Sequence, residues 1–96
     1  MRAWLDRHRV DPWVRQLERM KRALVRVGVP AAPHEPPRAL ATRVRATLGS
    51  TGEPLAVLLD ALEARRYGRA AARRPDPAMT RDFTSAARRL RTLTPR

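Results

Sequence analysis

Ninety-six residues make one small domain, and 43% hydrophobic residues is the ordinary share for a chain that folds, which argues against wholesale disorder. The absence of cysteine excludes disulfides, thiolate metal sites and cysteine nucleophiles, and 4% aromatics (Trp4, Trp13, Tyr67 and Phe83) leave a core built from Leu, Val and Ala. Lys+Arg of 21 against Asp+Glu of 9 gives +12 and an attraction to polyanions, whether nucleic acid, anionic lipid or an acidic protein; every base but Lys21 is arginine, which is also what a GC-rich genome writes on solvated helix faces.

Residues 1–10 read as a basic N-terminal extension in which Trp4 and Leu5 suggest some contact with the rest of the chain. Their charges at Arg2, Asp6, Arg7 and Arg9, with no apolar stretch behind, do not read as a secretory signal. No apolar run anywhere approaches the ~20 residues that cross a bilayer. The remainder, 11–96, reads as a single helical domain.

Asp11-Pro12 opens the first helix, because Asp caps well and Pro suits the first helical position. Trp13, Leu17, Met20, Leu24 and Val27 recur every three or four residues and predict a helix over 12–27, with Val14 and Val25 beside its apolar face and Gly28 as a left-handed stop. Residues 29–37 hold Pro30, Pro33, Pro36 and Pro37, which predicts a stiff extended connector. A second helix follows over 37–48, burying Leu40, Val44 and Leu48 flanked by Ala41 and Thr47, and ending at Gly49.

After a Ser50-Thr51-Gly52 turn, Leu55, Leu58, Leu59 and Leu62 mark a third helix over 54–67, the most apolar of the set. Residues 69–75 read as loop or a further helical turn. Asp76-Pro77 then repeats the first start signal, and Met79, Phe83, Ala86, Leu90 and Leu93 predict a fourth helix over 77–93. No segment has a period of two. The fold class is therefore all-α, a small bundle of about four amphipathic helices whose short connectors imply antiparallel neighbours. Trp13, Leu17, Leu24, Leu40, Val44, Leu58, Leu62, Tyr67, Phe83 and Leu90 are expected to share one core.

Chemistry-bearing patterns are sparse. His8 and His34 lie in polar or proline-rich segments without a metal-ligand partner one helical turn away. Each glycine marks a helix end or turn, not a phosphate loop. Asp60 and Glu63 sit near Arg65 and Arg66 and read as surface pairing, and Ser50 and Ser85 lack a base. Neither catalysis nor a cofactor or small-molecule substrate is expected. The basic residues concentrate in the terminal helices, which makes Arg15, Arg19, Arg22 and Arg26 on the first and Arg81, Arg88, Arg89 and Arg91 on the last the candidate contacts to an anionic surface. A helix-turn-helix would use the third helix as reader, and that helix is nearly neutral and apolar, which disfavours nucleic acid as the partner.

The ordered landmarks carry a resemblance. Trp13…Leu17-Glu18…Leu24, Gly28-Val29-Pro30, the run Glu35 to Val44, the leucine-rich third helix and Arg66-Tyr67-Gly68 together resemble the C-terminal domain of unknown function of bacterial membrane-bound transglutaminase-like proteins of the TgpA type. The resemblance spans roughly residues 13 to 93, with Pro36 where the family has a Thr cap. It implies a non-catalytic, cytoplasmic accessory domain beside the inner face of a membrane, whose catalytic triad belongs to another domain; positive charge beside a membrane span agrees. It also marks Arg66, Tyr67 and Gly68 as a family-like motif that is either a binding site or, the favoured reading, a structural close to the third helix. The alternatives are a small basic nucleic-acid-binding protein and a freestanding membrane-surface domain.

Overall fold

Asp11 opens the first helix in the way an Asp-Pro pair favours: its Oδ1 accepts from the backbone N–H of Trp13 at 3.0 Å, and Pro12 takes the position where an N–H would be orphaned. The structure, a computed structural model, describes residues 11–32, 34–68 and 74–93, with the side chains of Thr92 and Leu93 left aside. The expectations for residues 1–10, for 69–73 and for the Leu93 side chain lie outside the described residues. All regular structure among those residues is helical: α1 Pro12–Arg26, α2 Pro37–Leu48, a 3-10 turn Gly49–Gly52, α3 Glu53–Tyr67 and α4 Pro77–Leu93.

α1 ends in a Schellman arrangement. Gly28 sits at φ +85, its N–H donates to the Val25 carbonyl at 3.1 Å, and the Val29 N–H reaches back to Leu24 at 2.9 Å. Val29 and Leu24 are both fully buried, which supplies the apolar contact that accompanies such a cap. The buried face holds Trp13, Leu17, Met20 and Leu24, as the spacing predicts. Val14 and Val25 do not flank it but are exposed; Gln16, Lys21 and Ala23 are buried instead, because α4 packs along the flank carrying Gln16 and Ala23.

The proline-rich connector is not simply extended. Glu35 turns it: its backbone N–H donates to the Ala32 carbonyl at 3.2 Å and its Oε1 accepts from the Ala32 N–H at 2.9 Å, with His34 at φ +66 between them. α2 then starts without a side-chain cap, Pro36 supplying only its carbonyl to Leu40 N–H at 3.1 Å. Leu40, Ala41 and Val44 are buried and Leu48 half-buried, while Thr47 faces solvent.

The 3-10 turn, in which the Thr51 hydroxyl donates to the Leu48 carbonyl at 2.6 Å, folds α3 back on α2. α3 also packs on α4, and α4 on α1, so contacts run in the order α2, α3, α4, α1. Leu55, Ala56, Leu59 and Leu62 of α3 meet Met79, Phe83 and Ala87 of α4 in one core with the α1 and α2 faces. Each fully buried Leu contributes about 1.5–3 kcal/mol. Leu58, Ala86 and Leu90 pack on the edge of this core, and Ala87 is more deeply buried than Ala86. Tyr67 is a correction: at the last residue of α3 it is 61% exposed, because the chain turns away there and the core is closed one turn earlier by Leu62.

Candidate functional site

α1 and α4 lie side by side and point the same way. At their N-terminal ends Gln16 Nε2 donates to the Asp76 carbonyl at 2.7 Å, and Arg15 and Arg19 share a cleft of about 160 Å³ with Pro75, Pro77 and Thr80. At their C-terminal ends Ala23 and Arg26 line a hollow of about 20 Å³ with Thr84, Ala87, Arg88 and Arg91. The antiparallel expectation fails for this pair because the helices are not consecutive in the chain, and no short loop dictates their direction. Parallel macrodipoles repel weakly, and the sequence offsets this: Asp11 and Asp76 cap the two positive ends, while Arg26 and Arg91 stand in the two last turns.

Five of the eight candidate arginines therefore border one groove: Arg15 and Arg19 at one end, Arg26, Arg88 and Arg91 at the other. Arg22 does not join them. It lines a hollow on the opposite flank of α1 with Glu18, Lys21, Val25, Ala31 and Ala32. Arg81 is exposed one turn before Thr84, and Arg89, about 100° round the helix from Arg88, lines neither end of the groove.

Most described carboxylates are engaged away from this groove, while Asp82 stands exposed on α4 without an ion pair among the described residues. Glu35 binds Arg43 at 2.9 Å. Arg45 grips Glu53 through Nε at 3.1 Å and Nη2 at 3.0 Å, and reaches Asp60 at 2.9 Å. Asp11 binds Arg66 at 3.1 Å, and Glu63 accepts from the Arg38 N–H at 3.3 Å. Asp60 and Glu63 thus find partners on α2, not in Arg65 and Arg66 as their spacing suggested. Glu18 stands 3.8 Å from the Nζ of Lys21, whose side chain is otherwise buried. The Ala32 N–H and Arg43 hold the Glu35 carboxyl below the usual range, Arg45 does the same for Glu53, and the two acids push the Arg45 guanidinium up. By contrast Arg15, Arg19, Arg22, Arg26, Arg81, Arg88 and Arg91 form no ion pair with a carboxylate among the described residues. Ion pairs thus hold Arg43, Arg45 and Arg66, and no described carboxylate comes within ion-pair distance of the arginines bordering the α1–α4 groove.

The Arg66-Tyr67-Gly68 segment joins α3 to α1. The Arg66 guanidinium lies 4.9 Å from the centre of the Tyr67 ring while it holds the Asp11 cap, so one side chain ties the end of α3 to the start of α1. Gly68 is extended, at φ −74, and not left-handed. Its reason is space: a Cβ there would run into the Ala64 carbonyl oxygen. The sequence signals for Gln16 and Lys21 were misleading, since both look like solvated polar positions; the repeated Asp-Pro start was the one trace of the α1–α4 pairing.

Among the described residues no group of three His, Cys, Asp or Glu side chains is placed to hold a metal ion, and no helix is long and apolar enough to cross a membrane. No protein-family model, curated protein or solved structure matches the chain.

Proposed function

We propose that the chain is a non-catalytic accessory domain, a small bundle of four amphipathic helices that docks through its α1–α4 face on an anionic membrane surface. The observation that carries this reading is the segregation of charge: Arg43 and Arg45 on α2 and Arg66 at the end of α3 are ion-paired, whereas none of the arginines bordering the α1–α4 groove meets a described carboxylate. Unpaired arginines on one face release counterions on meeting a polyanion and contribute about 1 kcal/mol each near an anionic leaflet. The resemblance to the tail domain of membrane-bound transglutaminase-like proteins supports a cytoplasmic site at the inner face of the membrane, with Arg66, Tyr67 and Gly68 serving structure. Nucleic acid is the competing polyanion. Single-strand and RNA readers stack bases on aromatics, and here Trp13 and Phe83 are buried while Tyr67 stands at the end of α3, outside the groove.

Co-sedimentation tests the reading. Vesicles with anionic lipid should retain the protein at low salt and release it steeply as salt rises, while zwitterionic vesicles should not bind it. Equal binding to both vesicle types removes the electrostatic basis. Clear preference for one DNA sequence over its scrambled version at physiological salt makes the chain a nucleic-acid reader instead.

A further inference from the structure

Arg26, Arg88, Arg91 and Thr84 line the small hollow at the C-terminal end of the α1–α4 groove. Ala23 and Ala87 line it and are 5% and 3% exposed, so only methyl groups separate the two helices there and the arginine stems leave from the rim. None of the three arginines pairs with a described carboxylate. Like charges gathered in this way repel one another unless an anion sits among them.

Two parallel helices bring two C-termini here, each carrying a charge of about −0.5. They offset only part of the charge of the three guanidiniums, so the rim stays positive. A phosphomonoester, which carries about −1.5 to −2 at neutral pH, answers three arginines more fully than the single charge of a phosphodiester. The hollow, about 20 Å³, holds one water-sized group, which suits a single phosphate oxygen and excludes a ring or sugar. Guanidiniums bind such oxygens in a planar fork, and the rotatable Thr84 hydroxyl adds a further donor.

We propose that this notch binds a terminal phosphate, a phosphomonoester dianion held by Arg26, Arg88, Arg91 and Thr84. The proposal rests on reading the α1–α4 face as an anionic docking surface, and it gives that surface a preference for phosphatidic acid over phosphatidylglycerol. A free phosphomonoester carries the same chemistry, and separate arms of the test distinguish the two sources.

The full chain is titrated with phosphatidylcholine vesicles containing phosphatidic acid or phosphatidylglycerol at equal surface charge. In parallel, methyl phosphate and dimethyl phosphate are added in solution and the Thr84 and Arg88 amide resonances are followed. Phosphatidic acid should bind about tenfold tighter, the equivalent of one charge-assisted hydrogen bond. The Arg26→Gln/Arg88→Gln variant should lose that preference. Arg15→Gln/Arg19→Gln, which removes the same charge from the other end of the groove, should weaken both lipids alike and keep it. All four side chains are exposed, and unchanged melting curves verify that each variant folds. Shifts with methyl but not dimethyl phosphate show that the notch also takes the free group; preference on vesicles alone assigns it to the lipid. Equal affinity for the two lipids, or a preference that survives Arg26→Gln/Arg88→Gln, overturns the notch and leaves the docking surface standing. Methyl phosphate shifts without vesicle binding keep the notch and overturn the docking surface, and neither signal overturns both.

Discussion

The side-chain amide of Gln16 donates to the backbone carbonyl of Asp76 at 2.7 Å, across sixty residues of chain, and so locks the first turn of α1 to the start of α4. Gln16 is 6% exposed, and its Oε1 has no donor among the described residues. An orphaned buried acceptor costs about 1–3 kcal/mol, close to what the donated bond returns. Gln16→Met removes both and should leave stability within about 1 kcal/mol of the parent. Gln16→Glu sets a carboxylate against the Asp76 carbonyl and should cost about 2 kcal/mol or more. Urea unfolding midpoints measure the two; a Met variant as weak as the Glu variant would refute this balance.

Burial separates two adjacent leucines of α3. Leu59 is fully buried in the core with Phe83, whereas Leu58 lies on its edge. Leu59→Ala should cost about 2–5 kcal/mol and Phe83→Ala about 3–5 kcal/mol, a large share of the stability of a domain this small. Leu58→Ala should cost clearly less than Leu59→Ala. Equal losses at the two leucines would contradict this packing.

His34 is exposed and occupies the left-handed region at φ +66. A side chain there costs about 1–2 kcal/mol, and glycine gives back about 0.5–1 kcal/mol through its larger unfolded entropy. His34→Gly should therefore raise stability, by up to about 1 kcal/mol. Thermal melts of the pair check the sign, and a lower melting temperature for the glycine variant would rule it out.

Glu35 links stability to acid. The Ala32 N–H, then Arg43, hold its folded carboxyl below the usual value of 4.5. A carboxyl depressed by folding contributes stability that is complete above its unfolded pKa and fades as pH falls through the folded one. Glu53, held down by Arg45, adds to the same window. Glu35→Gln should thus flatten the loss of stability between about pH 5 and pH 3, and Glu35→Gln/Glu53→Gln should flatten it further. Denaturation at a series of pH values gives the slopes; an unchanged slope in the double variant would exclude the linkage.

Element positions were legible in the sequence because they rest on local chemistry. Asp11-Pro12, Asp76-Pro77, Gly28 and the leucine spacing each act within a few residues, and the helix ends fall within one residue of the bounds these signals predict. The direction in which α1 meets α4 was not legible, since parallel packing is decided by which flanks fit and not by any loop. Gln16 and Lys21 were missed for the same reason: their polarity suggests solvent, and only the neighbouring helix and connector bury them. Of the candidate surface, the choice of helices was readable from charge, but Arg22, Arg81 and Arg89 fell away from the groove because angle around a helix matters as much as membership of it.

The order of contacts along the chain has a kinetic consequence. α2 and α3 are joined by four residues, whereas Gln16 and Asp76 meet only after sixty. Closing the longer loop costs about 2 kcal/mol more than closing the short one. The α2–α3 hairpin is thus the cheaper pairing, and α1 is expected to reach α4 late in folding. A ligand that bridges α1 and α4 stabilises an arrangement missing from the transition state, so its effect appears as slower unfolding with the folding rate unchanged. Such a ligand lengthens the lifetime of the fold for as long as it stays bound.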